Sequence, residues 1–403
     1  MLKVADSPPR FSTLVLLAGL SVLSLTMFLP SLPSIAAEFD VSYALVSLSI
    51  AGYLATTAVV QLIMGPLSDR YGRRPVLLAG LLIFALASLG CAFAPDIRTF
   101  LAFRVLQAAI ISGYTVASAI VRDTAPTHEA ASRLGYINMA MAIGPILGPM
   151  LGGLIDELFG WRAGFVVYAA MGLTLFAICW RDLGETHHAR SASLGAQFRA
   201  WPALVGSGRF WAFVVCMAFT TGTFYTFLAG APVVAQTVLD LSPAHLGFWM
   251  GTITGGFLLG SFLSGRYARV VPLPGMMLAG RVVAGAGLAC GLVLFFSGYV
   301  SEYTLFGATV FAGLGNGLTM PSSNAGALSI RPDLAGSAAG LAGAVVLAVG
   351  AVLTALTGAL LSTQYGAHEL LGVMLACTLL GGLAAFAVLR SDRRLSQPCR
   401  DSA

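Results

Sequence analysis

The chain has 403 residues, of which 57% are hydrophobic and only 10% charged, against roughly 25% charged in an ordinary soluble chain, so its solvent is a lipid bilayer. The net charge is +5, but the basic residues form no stripe with interleaved aromatics, which excludes nucleic acid as a partner. Six cysteines show no paired spacing: Cys91, Cys179, Cys216, Cys290 and Cys377 lie in apolar runs and Cys399 near the end, so they read as packing residues.

A helix that crosses a bilayer needs about 20 apolar residues. Twelve stretches qualify: 12–36, 43–66, 75–94, 98–120, 132–155, 162–181, 209–234, 244–268, 273–297, 303–325, 337–361 and 369–390. Lys3 and Arg10 ahead of the first would suit a signal peptide, but the run is too long and lacks a clear small-residue cleavage site, so it reads as a span. With both termini cytoplasmic, the even-to-odd connections and the tails hold 18 of the 22 Lys and Arg residues. The opposite orientation would place those charges outside, against the positive-inside rule.

Span 1 contains Phe28-Leu29-Pro30-Ser31-Leu32-Pro33. Two prolines three apart free backbone carbonyls and bend the helix, which a membrane tolerates where those groups face protein or a wet cavity. The bend is expected either to line a cavity or to serve packing alone.

Between spans 2 and 3 lies Gly65-Pro66-Leu67-Ser68-Asp69-Arg70-Tyr71-Gly72-Arg73-Arg74-Pro75-Val76-Leu77. It reads as a short loop in which Gly65 and Gly72 allow a tight turn, and Asp69 pairs with an arginine or sits near the next helix start. The pattern closely resembles the G-x-L-x-D-R-x-G-R-R signature of the major facilitator superfamily. That resemblance implies an all-α integral membrane protein of two six-helix halves, with Gly65, Asp69, Arg70, Gly72, Arg73 and Arg74 in a cytoplasmic gate.

Span 4 carries Leu101-Ala102-Phe103-Arg104-Val105-Leu106-Gln107, similar to the superfamily's helix 4 signature, though Ile110 stands where a glycine is usual. Arg104 lies about 10 Å inside the outer helix end, shallow enough to snorkel, and an intramembrane arginine points to a functional or gating role or, alternatively, to a purely structural hydrogen-bonding one. Arg281 in span 9, about 12 Å from the cytoplasmic end, reads as a snorkelling side chain.

In span 5, Gly135, Gly144, Gly148, Pro149 and Gly152 fit G-x8-G-x3-G-P-x2-G. Small residues at these intervals make a smooth face for a partner helix, and Pro149 adds a bend. The same pattern resembles the helix 5 signature of exporting antiporters in the superfamily, which implies export. Across nearly the whole chain the finer resemblance is to the bicyclomycin and chloramphenicol resistance branch of its twelve-span drug:proton antiporters. Met27-Phe28-Leu29-Pro30-Ser31-Leu32-Pro33 and Ala119-Ile120-Val121-Arg122-Asp123 carry it. Two charged positions of that branch are replaced, by Thr26 and Ser118.

The polar connection 182–208, with His187, His188, Arg190 and Arg199, reads as a cytoplasmic linker between halves 1–181 and 209–390, followed by a tail 391–403. Two adjacent histidines without further ligands are read as loop residues, so no metal is expected. Leu263-Ser264-Gly265-Arg266-Tyr267-Ala268-Arg269 echoes the loop between spans 2 and 3 without its aspartate.

None of the 17 carboxylates lies in mid-span. Asp69 and Asp123 at cytoplasmic helix ends read as partners of nearby arginines. Asp156 and Glu157 at an outer end read as solvated charge or, alternatively, as proton-exchanging groups. The cavity candidates are Thr26, Tyr53, Tyr114, Asn138, Phe224, Tyr225, Asn316 and Asn324, apolar and aromatic surfaces with a few hydrogen-bonding groups. They suit a small neutral or zwitterionic organic substrate.

No nucleotide-binding loop or catalytic constellation is present, so neither ATP nor any cofactor is expected and the chain is not read as an enzyme. The expectation is a monomeric, multi-pass exporter in a bacterial inner membrane, drawing on the proton-motive force. Transport of an endogenous metabolite, or a receptor role without transport, are the alternatives.

Overall fold

Every regular element among the described residues is helical. The computed structural model describes residues 9–185, 202, 204–331, 334–361 and 366–396, with the surroundings of positions 65, 66, 112, 122, 127, 128, 131, 335 and 393–396 outside that description. Most of the 182–208 linker, including His187, His188, Arg190 and Arg199, and residues 397–403 of the tail therefore lie outside the described residues, as do the surroundings of Gly65 and Arg122.

The helices are α1 (Phe11–Thr26), α2 (Leu32–Glu38), α3 (Tyr43–Tyr71), α4 (Arg73–Ala92), α5 (Ile97–Gln107), α6 (Ile111–Thr124), α7 (Thr127–Phe159) and α8 (Trp161–Asp182). They continue as α9 (Gly208–Thr237), α10 (Pro243–Tyr267), α11 (Leu273–Phe296), α12 (Glu302–Ser329), α13 (Ala335–Leu360) and α14 (Gly366–Ser396). With α1 joined to α2 and α5 to α6, eleven segments are long and apolar enough to cross a bilayer. The twelfth, α12, has 28 residues but is diluted by glycine, asparagine and hydroxyl residues. Its polar groups Thr309, Asn316, Thr319, Ser322 and Ser323 are buried among other helices, so this helix needs less lipid-like character than its length implies.

Local chemistry sets the breaks. Pro30 and Pro33 cannot donate to the helix ladder, and the chain passes through a 3₁₀ turn at Leu29–Ser31 between α1 and α2. The fourth span is likewise not continuous: a 3₁₀ turn at Ala108–Ile110 separates α5 from α6. Ser42, Asp96, Ser207 and Ser301 cap α3, α5, α9 and α12, each accepting from backbone N–H groups of the first turn.

The expected loop at 65–77 is corrected. Helix α3 runs through Asp69 and Arg70 to Tyr71, α4 starts at Arg73, and the whole reversal is made at Gly72 with φ of 97°. Gly65 is therefore inside a helix and makes no turn. Satisfying the backbone within the helix costs less than an open loop, and one glycine in a left-handed conformation suffices to reverse the chain.

The chain divides into two compact units, residues 1–196 with 241–251, and residues 197–240 with 252–403. In the first unit α1 packs on α7 and α4 on α8, around the edge-to-face rings of Phe100, Trp161, Phe165 and Tyr168. In the second, α11 packs on α12 and α9 on α13 and α14, and one buried cluster joins Phe210, Phe213, Met217, Met277 and Val388.

Candidate functional site

At the end of the first unit where α3 meets α4, Arg73 is buried and its guanidinium is the hub. Nη1 lies 2.5 Å from Asp69 Oδ1, across the reversal at Gly72, and also donates to Ser68 Oγ, while Nε donates to Asp123 Oδ2 at 3.1 Å. Asp69 thus takes the arginine-pairing alternative, and Asp123, at the end of α6, joins the same cation. The side chain of Arg122, its expected companion, lies outside the description.

Glu185 completes the cluster, and the sequence reading missed it. Its carboxylate accepts from the backbone N–H of Arg73 at 2.9 Å and of Arg74 at 3.3 Å, the first two N–H groups of α4. An anion there meets unpaired donors and the positive end of the helix dipole. Gly72 is required twice, by its φ and because a Cβ would collide with the Glu185 carboxylate. Arg74 donates to Trp180 O at 2.9 Å and lies over the Trp180 ring, and Arg70 lies over Tyr71. The sequence signal for Glu185 was no more than an acid just past a span, three residues after Asp182.

Within the spans, Arg104 does not snorkel. It is 0% exposed, with its guanidinium carbon 3.9 Å from the Phe28 ring centre, 4.9 Å from Tyr53 and 6.0 Å from Phe165. Nη1 donates to Ser24 O at 3.3 Å and to Gln107 Oε1, and Gln107 Nε2 donates to Ser88 Oγ at 2.7 Å. Among the described residues Nε and Nη2 have no hydrogen-bond partner, and aromatic faces stand in for one. Snorkelling fails because the break after α1, α3 and α8 cover the arginine with these rings, so the side chain cannot reach the interface. Tyr53 shares a 2.6 Å hydrogen bond with Ser24 Oγ, and Tyr168 donates to Leu23 O at 2.8 Å. One polar network therefore ties α1, α3, α4 and α5 together beside the proline break, with Tyr168 fastening α8 to α1.

The glycines of α7 make two close faces. A Cβ at Gly144, Gly148 or Gly152 would strike Val22, Thr26 or the carbonyl oxygen of Met27, so this face receives α1 where it breaks. On the neighbouring face, Gly153 meets the Pro243 carbonyl, and Gly247 meets that of Pro149. Gly135 stands apart: a Cβ there would meet nothing within 4 Å, because the close face begins at Gly144.

The cavity candidates separate. Thr26 donates to Val22 O and Gly144 O at the α1–α7 contact, Tyr53 belongs to the arginine network, and Tyr225 is buried where a Cβ at Gly350 would meet its ring. Tyr114 and Phe224 are half-buried, and Asn138 and Asn324 are exposed. Asn316 accepts from Arg281 Nη2 at 2.8 Å, and Thr319 Oγ1 accepts from Arg281 Nε at 3.0 Å. Arg281 is thus buried inside the second unit instead of snorkelling, because α12 offers these acceptors nearer than the interface.

At the opposite end of the first unit, Glu38 pairs with Arg162 at 2.7 Å and accepts from Trp161, and Arg162 also donates to Ala92 O. Between spans, Asp96 accepts from the N–H groups of Thr99 and Arg98 and from the Thr99 hydroxyl. These bonds, those of Thr99 foremost, hold its carboxyl below the usual aspartate range.

The family sequence model described as Major Facilitator Superfamily matches residues 14–353. An uncharacterized MFS-type transporter, YdgK of Bacillus subtilis (strain 168), is 29% identical over 386 residues, covering 93% of this chain and 94% of its own. The multidrug resistance protein MdtL of Salmonella heidelberg (strain SL476) is 33% identical over 370 residues, covering 90% of each chain. Among solved structures, a bacterial homolog to the human lysosomal transporter Spinster, crystallised in an inward-facing and unoccupied conformation, has the same fold. Its TM-score is 0.76 at 18% identity, over 95% of this chain and 96% of that one.

Proposed function

The chain belongs to the major facilitator superfamily of secondary transporters, and on that footing we propose that it exports small lipophilic organic molecules across a bacterial inner membrane in exchange for protons. It is a multi-pass membrane transporter and not an enzyme. Export is the reading best supported by the α7 face of Gly144, Gly148 and Gly152 pressed on the break in α1. That face lets two helix backbones meet where the chain is already bent, so a small relative tilt changes the surface presented by Phe28 and its neighbours. The relatives named multidrug resistance proteins support a drug-like cargo.

Both termini are cytoplasmic in this reading, which puts the Arg73 cluster inside and the Glu38–Arg162 pair outside. The protein works as a monomer by alternating access. Asp69, Arg73, Asp123 and Glu185 form a latch that holds α3, α4, α6 and the chain after α8 together and is broken and remade in each cycle. Neutral or zwitterionic cargo of phenicol type fits best, because no carboxylate lies at mid-span to hold a cation.

The test is accumulation of chloramphenicol, bicyclomycin and a sulfonamide in a pump-deficient bacterium expressing the chain, with and without an uncoupler. Lowered accumulation that the uncoupler abolishes is the expected result. Unchanged accumulation of all three, with insertion verified, refutes drug export and turns attention to an endogenous metabolite.

A further inference from the structure

The sequence places no carboxylate at mid-span, and at the Arg73 end the described acids are tied up by arginine or by a helix start. Asp156, in the last turn of α7, is different. It is only 9% exposed, and Ser34 Oγ donates to its Oδ2 at 3.1 Å, with the Ser31 hydroxyl close by. Ser31 ends the 3₁₀ turn between α1 and α2, and Ser34 lies in the first turn of α2, beside Pro33. Among the described residues no Lys, Arg or His makes an ion pair with Asp156.

The charged groups on the surrounding elements are engaged elsewhere or absent. Helix α1 carries no charge between Phe11 and Thr26. On α2, Glu38 is held by Arg162 and Trp161, and Arg162 on α8 is spent on Glu38 and the carbonyls of Ala92 and Ala94. Glu157, the next residue, accepts from the Ala244 N–H on the 241–251 segment, which also carries His245. Arg133 on α7 itself pairs with Glu129, more than five turns away, and Asp123 on α6 is at the far end with Arg73.

We propose that Asp156, at the outer end of α7, is the site that takes up the coupling proton from the outer side and gives it off to the inner side when access alternates, with Ser34 as its switchable partner and Ser31 beside it. A carboxylate paired with a cation must break that pair to accept a proton. A carboxyl partnered only by hydroxyls need not, because each hydroxyl can donate to the carboxylate or accept from the protonated acid. Both protonation states therefore keep their hydrogen bonds, and the difference between them is passed to Ser31 and Ser34. Ser31 lies on the break after α1 and Ser34 just beyond it on α2, and the same break meets the glycine face of α7 and carries Phe28 over Arg104. Gain or loss of one proton thus changes the hydrogen bonding at the point where α1 bends. Buried acids of transporters commonly mark proton relays.

The inference rests on the proton-exchange reading above, and its test separates the two. The full-length protein in liposomes is examined by infrared difference spectroscopy between acid and neutral pH, with no substrate present. The wild type is expected to show a carboxylic-acid C=O band that Asp156→Asn lacks, that Asp156→Glu restores at a shifted frequency, and that Ser34→Ala moves. In the same liposomes, chloramphenicol uptake driven by a pH gradient is expected to be lost in Asp156→Asn, while chloramphenicol counterflow, which needs no net proton movement, persists. Identical pH-difference spectra for wild type and Asp156→Asn, or undiminished gradient-driven uptake by that variant, overturn the assignment and leave the exchange reading standing. A titrating Asp156 band in a wild type that ignores the gradient supports the proton site and removes the chloramphenicol exchange reading instead.

Discussion

Gly152→Ala tests whether the contact between α7 and α1 is as close as transport requires. The added Cβ would lie inside the van der Waals envelope of the Met27 carbonyl oxygen, and neither group is a flexible side-chain tip that could swing away. Restoring an ordinary contact requires the two backbones to part by on the order of 1–2 Å. Overpacking of this kind costs about 1–3 kcal/mol. At 1.4 kcal/mol per factor of ten, the closely packed arrangement becomes about 5- to 150-fold less populated. Chloramphenicol export should fall by a comparable factor, and thermal unfolding of the purified protein should shift downward. Gly135→Ala on the same helix is the matched control, since nothing lies within 4 Å of its Cβ. It should gain up to about 1 kcal/mol from helix propensity and export normally. Wild-type export and unfolding for Gly152→Ala, or equal damage from Gly135→Ala, would refute the reasoning.

Arg73→Lys should insert normally yet lose export, because one ammonium cannot reproduce the fork that reaches Asp69, Asp123 and Ser68 together. Drug accumulation in expressing cells reads this directly, and a fully active lysine variant would count against the latch. Arg104→Met should lower stability by about 1–3 kcal/mol, since it leaves Gln107 Oε1 buried without its donor. Adding Gln107→Leu should recover most of that loss by removing both partners. A double variant no more stable than the single one in thermal unfolding would exclude this account. Because the Asp96 carboxyl is held below its ordinary range by the Thr99 and Arg98 donors, its contribution is present above the unfolded aspartate pKa and is lost only as pH falls through the lower folded value. Asp96→Asn should therefore lower the neutral-pH transition and flatten its acid-side dependence, differing least from the wild type at the acid end, which melts across a pH series would check.

The number and order of the spans were legible because a run of some 20 apolar residues has few other physical uses. Even α12, less apolar than the rest, was visible as a length between connections. The reversal at Gly72 was legible only in part. Composition marked Gly65 to Leu77 as a turn region, but whether polar residues next to a span continue its helix depends on what caps the following one. That cap is Glu185, 112 residues away from Arg73.

The sequence by itself determined a membrane solvent, twelve helical lengths, a bend at Pro30 and Pro33, and close packing around Gly144 to Gly152, since each follows from hydrophobicity or backbone chemistry within a short window. The partners of polar groups were decided by the tertiary structure alone. Arg104 and Arg281 were each within snorkelling reach of an interface along their own helices, yet Phe28, Tyr53, Asn316 and Thr319 hold them inside. Asp156 read as solvated or proton-exchanging charge at a helix end until α2, beyond the proline break, brought Ser34 to it. A buried charge is tolerable only when groups from other helices replace water. Those groups are brought together by packing, to which a one-dimensional pattern carries no coordinate.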